Sequence, residues 1–319
     1  MTEHHKPPIF ILHPGRANYP EIAAYRAYFT ARGFSVSAGV ETDYAALSFE
    51  QKGRTILWCI MGFYVRRLVA RCVIHDYRSL SVGKHVVVKD MLKRYCQARP
   101  DIRIFQTVEM AKVVGMHLDH RTRILPMGVP DWIFSAIEAP AGTPSIRGTY
   151  CYIGEITQER RIDVLLSDFV SFRQPQESLV LVGEVEEAIA RRFASEPGVV
   201  FTGRLPQAGA LSVVKQCDFA VSTVPYTRPY GVQAPTKLLE YAALGMRIIG
   251  NDSPSNLLAA KAHGIQFHMT GPRIFHSLER EALESLPRND PSRLNELRWD
   301  AVIEKSGIEQ LIRDTIRGH

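Results

Sequence analysis

The stretch "DFAVSTVPYTRPYGVQAPTKLLEYAALGMRIIGN", residues 218–251, holds one complete unit of the fold. Its opening run, "DFAVSTV", is apolar and β-rich with no polar alternation, as expected of a strand buried on both faces. "PYTRPYGVQA" at 225–234 is a turn-rich loop with two tyrosines and an arginine. From Pro235 the pattern becomes helical, with Leu238, Leu239, Ala242 and Ala243 forming the buried stripe. Pro235 suits a first helical turn, where its missing N–H costs nothing, and Gly245 suits the stop. "MRIIGN" at 246–251 is a second buried strand. Strand, helix and strand in this order make a parallel pair.

The same alternation runs through the chain. Buried strands are expected at 8–13, 34–40, 55–60, 71–76 and 102–107, and again at 149–154, 178–183, 198–203, 218–224 and 246–251. Several of the later ones end on glycine, Gly154, Gly183 and Gly203, where a tight turn lets a ligand approach the backbone. Between the two sets lies "SAIEAPAGTPSIRG", proline- and glycine-rich and without apolar periodicity. The expected architecture is therefore α/β: two doubly wound Rossmann-like domains facing across a cleft, with C-terminal helices. The boundaries are 1–134, a linker at 135–148, 149–290, and a helical segment at 291–319. Ligands of such sheets bind at the carboxyl ends of the strands.

With 319 residues, 45% of them hydrophobic and 23% charged, the chain suits two ordinary globular domains rather than a disordered or fibrous protein. No apolar run reaches the roughly 18–20 residues of a membrane span, and "MTEHHKPP" lacks the layout of a signal peptide. Five scattered cysteines without C-x-x-C point to reduced thiols in a cytoplasmic protein, not to a metal site. No strand is followed by G-x-G-x-x-G, and no G-x-x-x-x-G-K-[ST] occurs, which disfavours dinucleotide redox and P-loop chemistry. A net charge of +6 and a pI near 9.1 favour phosphate-bearing partners. Nucleic acid is the weakest of these, since no RNA-binding aromatic signature or zinc finger is present.

Lys237 and Glu240 sit three apart just behind a helix start. A helix N-terminus offers unpaired N–H groups to a phosphate, and a lysine adds a full charge. A glutamate one turn on is suited to accepting two hydrogen bonds from ribose hydroxyls. An exposed i,i+3 ion pair, with Tyr241 on the same outer face, explains the two residues equally well.

The segment resembles the nucleotide-sugar-binding part of GT-B glycosyltransferases, which often carry "K-L-L-E-Y-x-A-x-G" before a buried strand. "YCYIGEITQERRIDVLL" (150–166), "GVVFTGRLPQAGALSVVKQCDFAVSTV" (198–224), "RIFQTVEMAKVVGM" (103–116) and "RILPMGVPDWIF" (123–134) follow the family's order over residues 102–252. The resemblance implies a nucleotide-sugar donor, UDP-linked by preference, with no cofactor and no metal. It gives Glu240 the donor ribose and Lys237 the diphosphate, as in some bacterial polysaccharide glucuronosyltransferases. Arg160 stands where relatives keep a phosphate-binding lysine, Gly203 and Arg204 where the base is contacted, and Tyr226 and Thr236 beside the donor. Three positions depart from the pattern. Glu155 replaces an arginine, Val232 a glutamate and Met127 an asparagine, which leaves stereochemistry and donor type open.

In the first domain, Gly15, Arg16 and Asn18 follow the first strand and are the expected acceptor contacts. His75 and Asp76 end another strand; Asp76 is the expected general base and His75 a donor-sugar contact or substitute base. Arg66, Arg67, Arg71, Lys84, Lys89, Lys93 and Arg94 are mixed with apolar residues in "YVRRLVARC" and "KHVVVKDMLKRYC". Both read as helices that suit either solvent or the anionic inner face of a membrane. The expected activity is sugar transfer to a glycan or lipid-linked acceptor in polysaccharide or glycoconjugate synthesis. A nucleotide-sugar 2-epimerase or a non-catalytic sugar-nucleotide-binding assembly protein are the alternatives.

Overall fold

The computed structural model describes residues 6–15, 19–81, 83, 85–135, 141–143 and 145–318. The chain forms two compact units, Met1–Gly128 with Arg298–His319, and Val129–Leu297.

The first unit is built on a six-stranded parallel sheet. Its strands are β1 (Ile9–Leu12), β2 (Val36–Gly39), β3 (Ile56–Ile60), β4 (Cys72–Tyr77), β5 (Ile102–Phe105) and β6 (Thr122–Ile124). They lie in the order β2-β1-β3-β4-β5-β6. The central strands β1, β3, β4 and β5 are buried at every position, as their continuous apolar runs require. The chain order reverses between β1 and β3, so loops 13–15 and 61–62 stand at this sheet's switch point.

The second unit carries β7 (Gly148–Ile153), β8 (Leu179–Val182), β9 (Val199–Gly203), β10 (Cys217–Ser222), β11 (Arg247–Asn251) and β12 (His268–Thr270). All pairs are parallel, in the order β12-β11-β10-β7-β8-β9. This is the dinucleotide-fold order, and its switch point lies between β7 and β10. Tyr150, Phe169, Leu181, Ile249 and Phe275 are fully buried in its core. The residues after β7 and after β10 are thus placed side by side.

Ten strands are where the sequence pattern puts them. The short edge strands β6 and β12, three residues each, carry no apolar run and were not expected. "YVRRLVARC" is not helical: residues 61–71 are irregular and lead directly into β4. Among the described residues, no helix is long and apolar enough to cross a membrane.

The division of the chain differs from the sequence expectation at both ends of the second unit. The C-terminal residues fold with the first unit, because Trp299, Ile308 and Ile312 need its core. Trp299 packs against Tyr25 with ring centroids 6.0 Å apart. It also fills the space beside Gly128, where a Cβ would come within 2.6–2.8 Å of it.

Candidate functional site

Three segments meet at the carboxyl ends of β7, β9 and β10. The helix Thr236–Ala243 begins directly after Pro235, which is its N-cap rather than its first residue. Leu238, Leu239, Ala242 and Ala243 are buried as expected, but so is Tyr241. Tyr241 turns under the sheet, and its hydroxyl oxygen accepts the Ile153 N–H at 3.0 Å. This bond ties the helix to the end of β7 across the switch point.

Glu240 is 7% exposed, which removes the surface-pair reading. Its Oε2 accepts from Lys237 Nζ at 2.8 Å, and its Oε1 from Gln207 Nε2 at 2.7 Å. Gln207 opens the helix Gln207–Lys215 that follows β9. Each carboxylate oxygen keeps a second lone pair, so the group can accept two further hydrogen bonds. Gln207 was not singled out from the sequence. Its place at the start of the helix after "GRLP" was the available signal.

Arg160 comes from the other side of the switch point. Its Nε and Nη2 donate to Glu155 Oε2 at 3.0 and 2.9 Å, and its guanidinium lies 5.1 Å from the Tyr230 ring centroid. Glu155, the residue that departs from the family pattern, therefore serves as the anchor of this arginine. Tyr226 donates its hydroxyl to Asp252 and leaves part of its ring exposed. Thr236 spends its N–H on the Ala234 carbonyl at 3.0 Å, so only its hydroxyl is available to a ligand. Gly203 has φ 73° and open space where a Cβ would be, and Arg204 beside it is exposed. Gly183 has a different reason to be glycine: its Cβ would strike the Gly154 carbonyl oxygen, so the ends of β7 and β8 demand it. A small pocket borders the loops after β7 and β10 and is lined by Arg160, Arg161, Tyr226, Asn251 and Arg273. Arg273 is already bound by Asp168.

The expected catalytic pair in the first unit takes a different role. Asp76 is 1% exposed. Its Oδ2 accepts from Tyr25 Oη and Trp58 Nε1, both at 2.9 Å, and Arg78 Nε lies 2.7 Å from its Oδ1. Arg78 in turn donates to the Leu125 carbonyl at 3.1 Å and to the Tyr25 hydroxyl. A carboxylate so enclosed cannot reach a substrate hydroxyl, and it anchors the core instead. His75 is 4% exposed, with Nδ1 2.8 Å from the Gln97 side-chain amide. Burial, reinforced by Arg103 and Arg67 against the opposing pull of Asp101, lowers its pKa to about 3. It is neutral and internal, and makes no outward contact.

Of the expected acceptor residues, Gly15 lies after β1 with φ 70°, its N–H 3.2 Å from His13 Nδ1. Arg16 and Asn18 lie outside the described residues. Among the described residues, no group of three or more His, Cys, Asp or Glu side chains is placed to hold a metal ion.

Glu21 was passed over in the sequence. It lies in the first turn of the helix Pro20–Ala31, 3% exposed, and burial raises its pKa to about 6 against the opposing charge of Arg78. A carboxyl raised on folding favours the folded state below its unfolded value of 4.5, and that contribution is lost as pH rises through about 6. Glu21→Gln should therefore stabilise the protein by about 2 kcal/mol at pH 7.5 and hardly at all near pH 4. Urea unfolding at the two pH values measures this, and an equal gain at both would contradict it.

No protein-family model matches the sequence, and no curated protein sequence does. Solved structures do match. AviGT4, a glycosyltransferase involved in avilamycin A biosynthesis, is 16% identical and superposes with a TM-score of 0.60 over 97% of this chain and 98% of its own. WaaG, a glycosyltransferase involved in lipopolysaccharide biosynthesis, is 12% identical with a TM-score of 0.58, covering 98% of this chain and 100% of its own. HepE of Anabaena, solved in complex with UDP, is 11% identical with a TM-score of 0.57 over the same shares. The fold is GT-B. Within this fold the second unit is one of the two Rossmann-like halves, and it carries the Lys237–Glu240 helix. Gln207, Lys237 and Glu240 form one hydrogen-bonded cluster beside its switch point, and Arg160 follows β7 on the other side of it.

Proposed function

We propose that the protein transfers a sugar from a nucleoside-diphosphate sugar, UDP-linked by preference, to a glycan or lipid-linked acceptor in polysaccharide or glycoconjugate synthesis. The observation that carries this reading is Glu240. It is a buried carboxylate at the switch point of a parallel sheet, with both oxygens oriented by Lys237 and Gln207 and spare lone pairs on each. Neighbouring hydroxyls of a ribose match that acceptor pair. Lys237 and the N-terminus of its helix then lie on the diphosphate side, where they offset the charge that develops on the leaving group. Arg160 adds a second cation once a phosphate competes with Glu155 for it. The UDP complexes of the HepE structures support a uridine donor. The sequence has no D-x-D tripeptide, so the side-chain cations take the place of a divalent ion, and hexosyl or glucuronosyl transfer should persist in EDTA.

Thermal shift against UDP-, GDP-, ADP- and dTDP-linked sugars tests the reading. A ligand at about 100 times its dissociation constant stabilises by about 2.7 kcal/mol. Glu240→Ala should weaken donor binding by about 1.5–3 kcal/mol, roughly 10- to 150-fold. Because Glu240 is buried and paired, the same change also lowers the stability of the free protein by about 1–3 kcal/mol. Affinity is therefore measured well below the variant's Tm. If no nucleotide sugar shifts Tm, or if Glu240→Ala binds as tightly as the parent, the proposal fails.

A further inference from the structure

The helix Val86–Tyr95 of the first unit is turned inside out. Val87, Val88, Met91, Leu92 and Tyr95 are 64%, 53%, 54%, 44% and 68% exposed, whereas the buried position is Asp90. At 3.6 residues per turn these five side chains fall within one arc of about 140°, with Lys89 beyond one edge and Arg94 beyond the other. A solvated surface helix shows the reverse pattern, apolar side inward.

The patch extends beyond the helix. The Ala98 N–H donates to the Tyr64 carbonyl at 2.8 Å, which holds the irregular segment 63–65 beside the helix's C-terminal end. Phe63 and Val65 of that segment are 43% and 68% exposed. From residue 61 to 96, every charged side chain that is both described and exposed is basic: Arg66, Arg67, Arg71, Lys89 and Arg94, of which Arg67 is paired with Asp101 at 2.6 Å. Scattered apolar side chains on a surface are ordinary, but a contiguous apolar patch with a polar rim marks an interaction site.

We propose that this face seats the protein on an anionic lipid bilayer, with the helix Val86–Tyr95 lying in the interfacial plane. The rim charge selects the occupant. A second copy of the chain would bring the same cations against one another, whereas anionic headgroups supply the opposite charge around an apolar centre that can enter the acyl boundary. This surface belongs to the first unit and the Glu240 cluster to the second, and they share no residue, so the two proposals fail independently.

Flotation of the full chain with vesicles decides the matter, comparing phosphatidylcholine alone with phosphatidylcholine mixed with phosphatidylglycerol. The protein should float with the mixed vesicles and lose most of that binding as salt is raised. The double variant Val88→Asp/Met91→Asp should bind at least about ten-fold more weakly. Lys89→Glu/Arg94→Glu should remove the preference for anionic lipid. All four positions are exposed, so the variants should keep the parent Tm and nucleotide-sugar affinity. The proposal is overturned if the protein does not float, or if it floats equally well in both variants. It is also overturned if the protein forms a dimer that Val88→Asp/Met91→Asp dissolves, which would assign the face to a second copy.

Discussion

Asp76→Ala is expected to cost about 3–5 kcal/mol of folding stability, because it removes the carboxylate paired with the buried Arg78 guanidinium. That is a large share of the roughly 5–15 kcal/mol by which most domains are stable. The loss comes from more than one interaction. Tyr25 Oη and Trp58 Nε1 both lose the oxygen they donate to, in a place that water does not reach. Asp76→Asn retains an acceptor for one or both of them and should fall between the parent and the alanine variant. A double-mutant cycle with Arg78→Met separates the charge pair from the rest: the double variant should lose less than the sum of the two single changes. Chemical denaturation gives each value. If Asp76→Asn instead unfolds like the parent while turnover collapses, the carboxylate is a base after all.

Acid should act on the same strand from its other side. His75 has a folded pKa of about 3 against an ordinary value of 6.5, so its folded-state pKa is depressed. Between those values the unfolded chain binds a proton that the folded chain refuses. The stability this group contributes is complete above pH 6.5 and is lost as pH falls toward 3, by up to about 5 kcal/mol. The groups around it are Gln97, Tyr64 and Tyr77, with Arg103, Arg67 and Asp101 acting at longer range. His75→Gln keeps a polar side chain for Gln97 and has nothing to titrate. Its unfolding free energy, measured from pH 7 to pH 4, should decline less steeply than that of the parent. Parallel profiles for the two proteins would show that His75 is not the acid-sensitive group.

Much of the fold was legible because a central parallel strand buried on both faces has to be continuously apolar; the runs of β2 and β9, expected to be buried as well, stand at sheet edges and are only partly buried. β6 and β12 were not legible: an edge strand of three residues needs only one partner and little apolar surface. The Lys237–Glu240 pair was readable from its spacing behind a helix start, but its burial was not, since that depends on Gln207 arriving from another strand's end. Asp76 was misread for a similar reason. "His-Asp" at a strand end looks like chemistry, while Tyr25 and Trp58, which donate to the carboxylate, come from other segments. Arg78, two residues on and so on the same side of the extended chain, was the one local hint of an ion pair. The apolar period of "VVVKDMLKRY" was visible too, but periodicity does not say whether the stripe faces the core or the outside.

The return of residues 298–319 to the first unit makes the second unit an insertion in sequence terms. On the ribosome, Val129–Leu297 is complete while the first unit still lacks Trp299, Ile308 and Ile312. The unit that begins synthesis first is thus the one that closes last, and until then Tyr25 has no Trp299 to pack on. A stop codon directly after residue 297 would leave the second unit complete and deprive the first of Trp299, Ile308 and Ile312. Residues 298–319 serve the first unit as a delayed piece of its core.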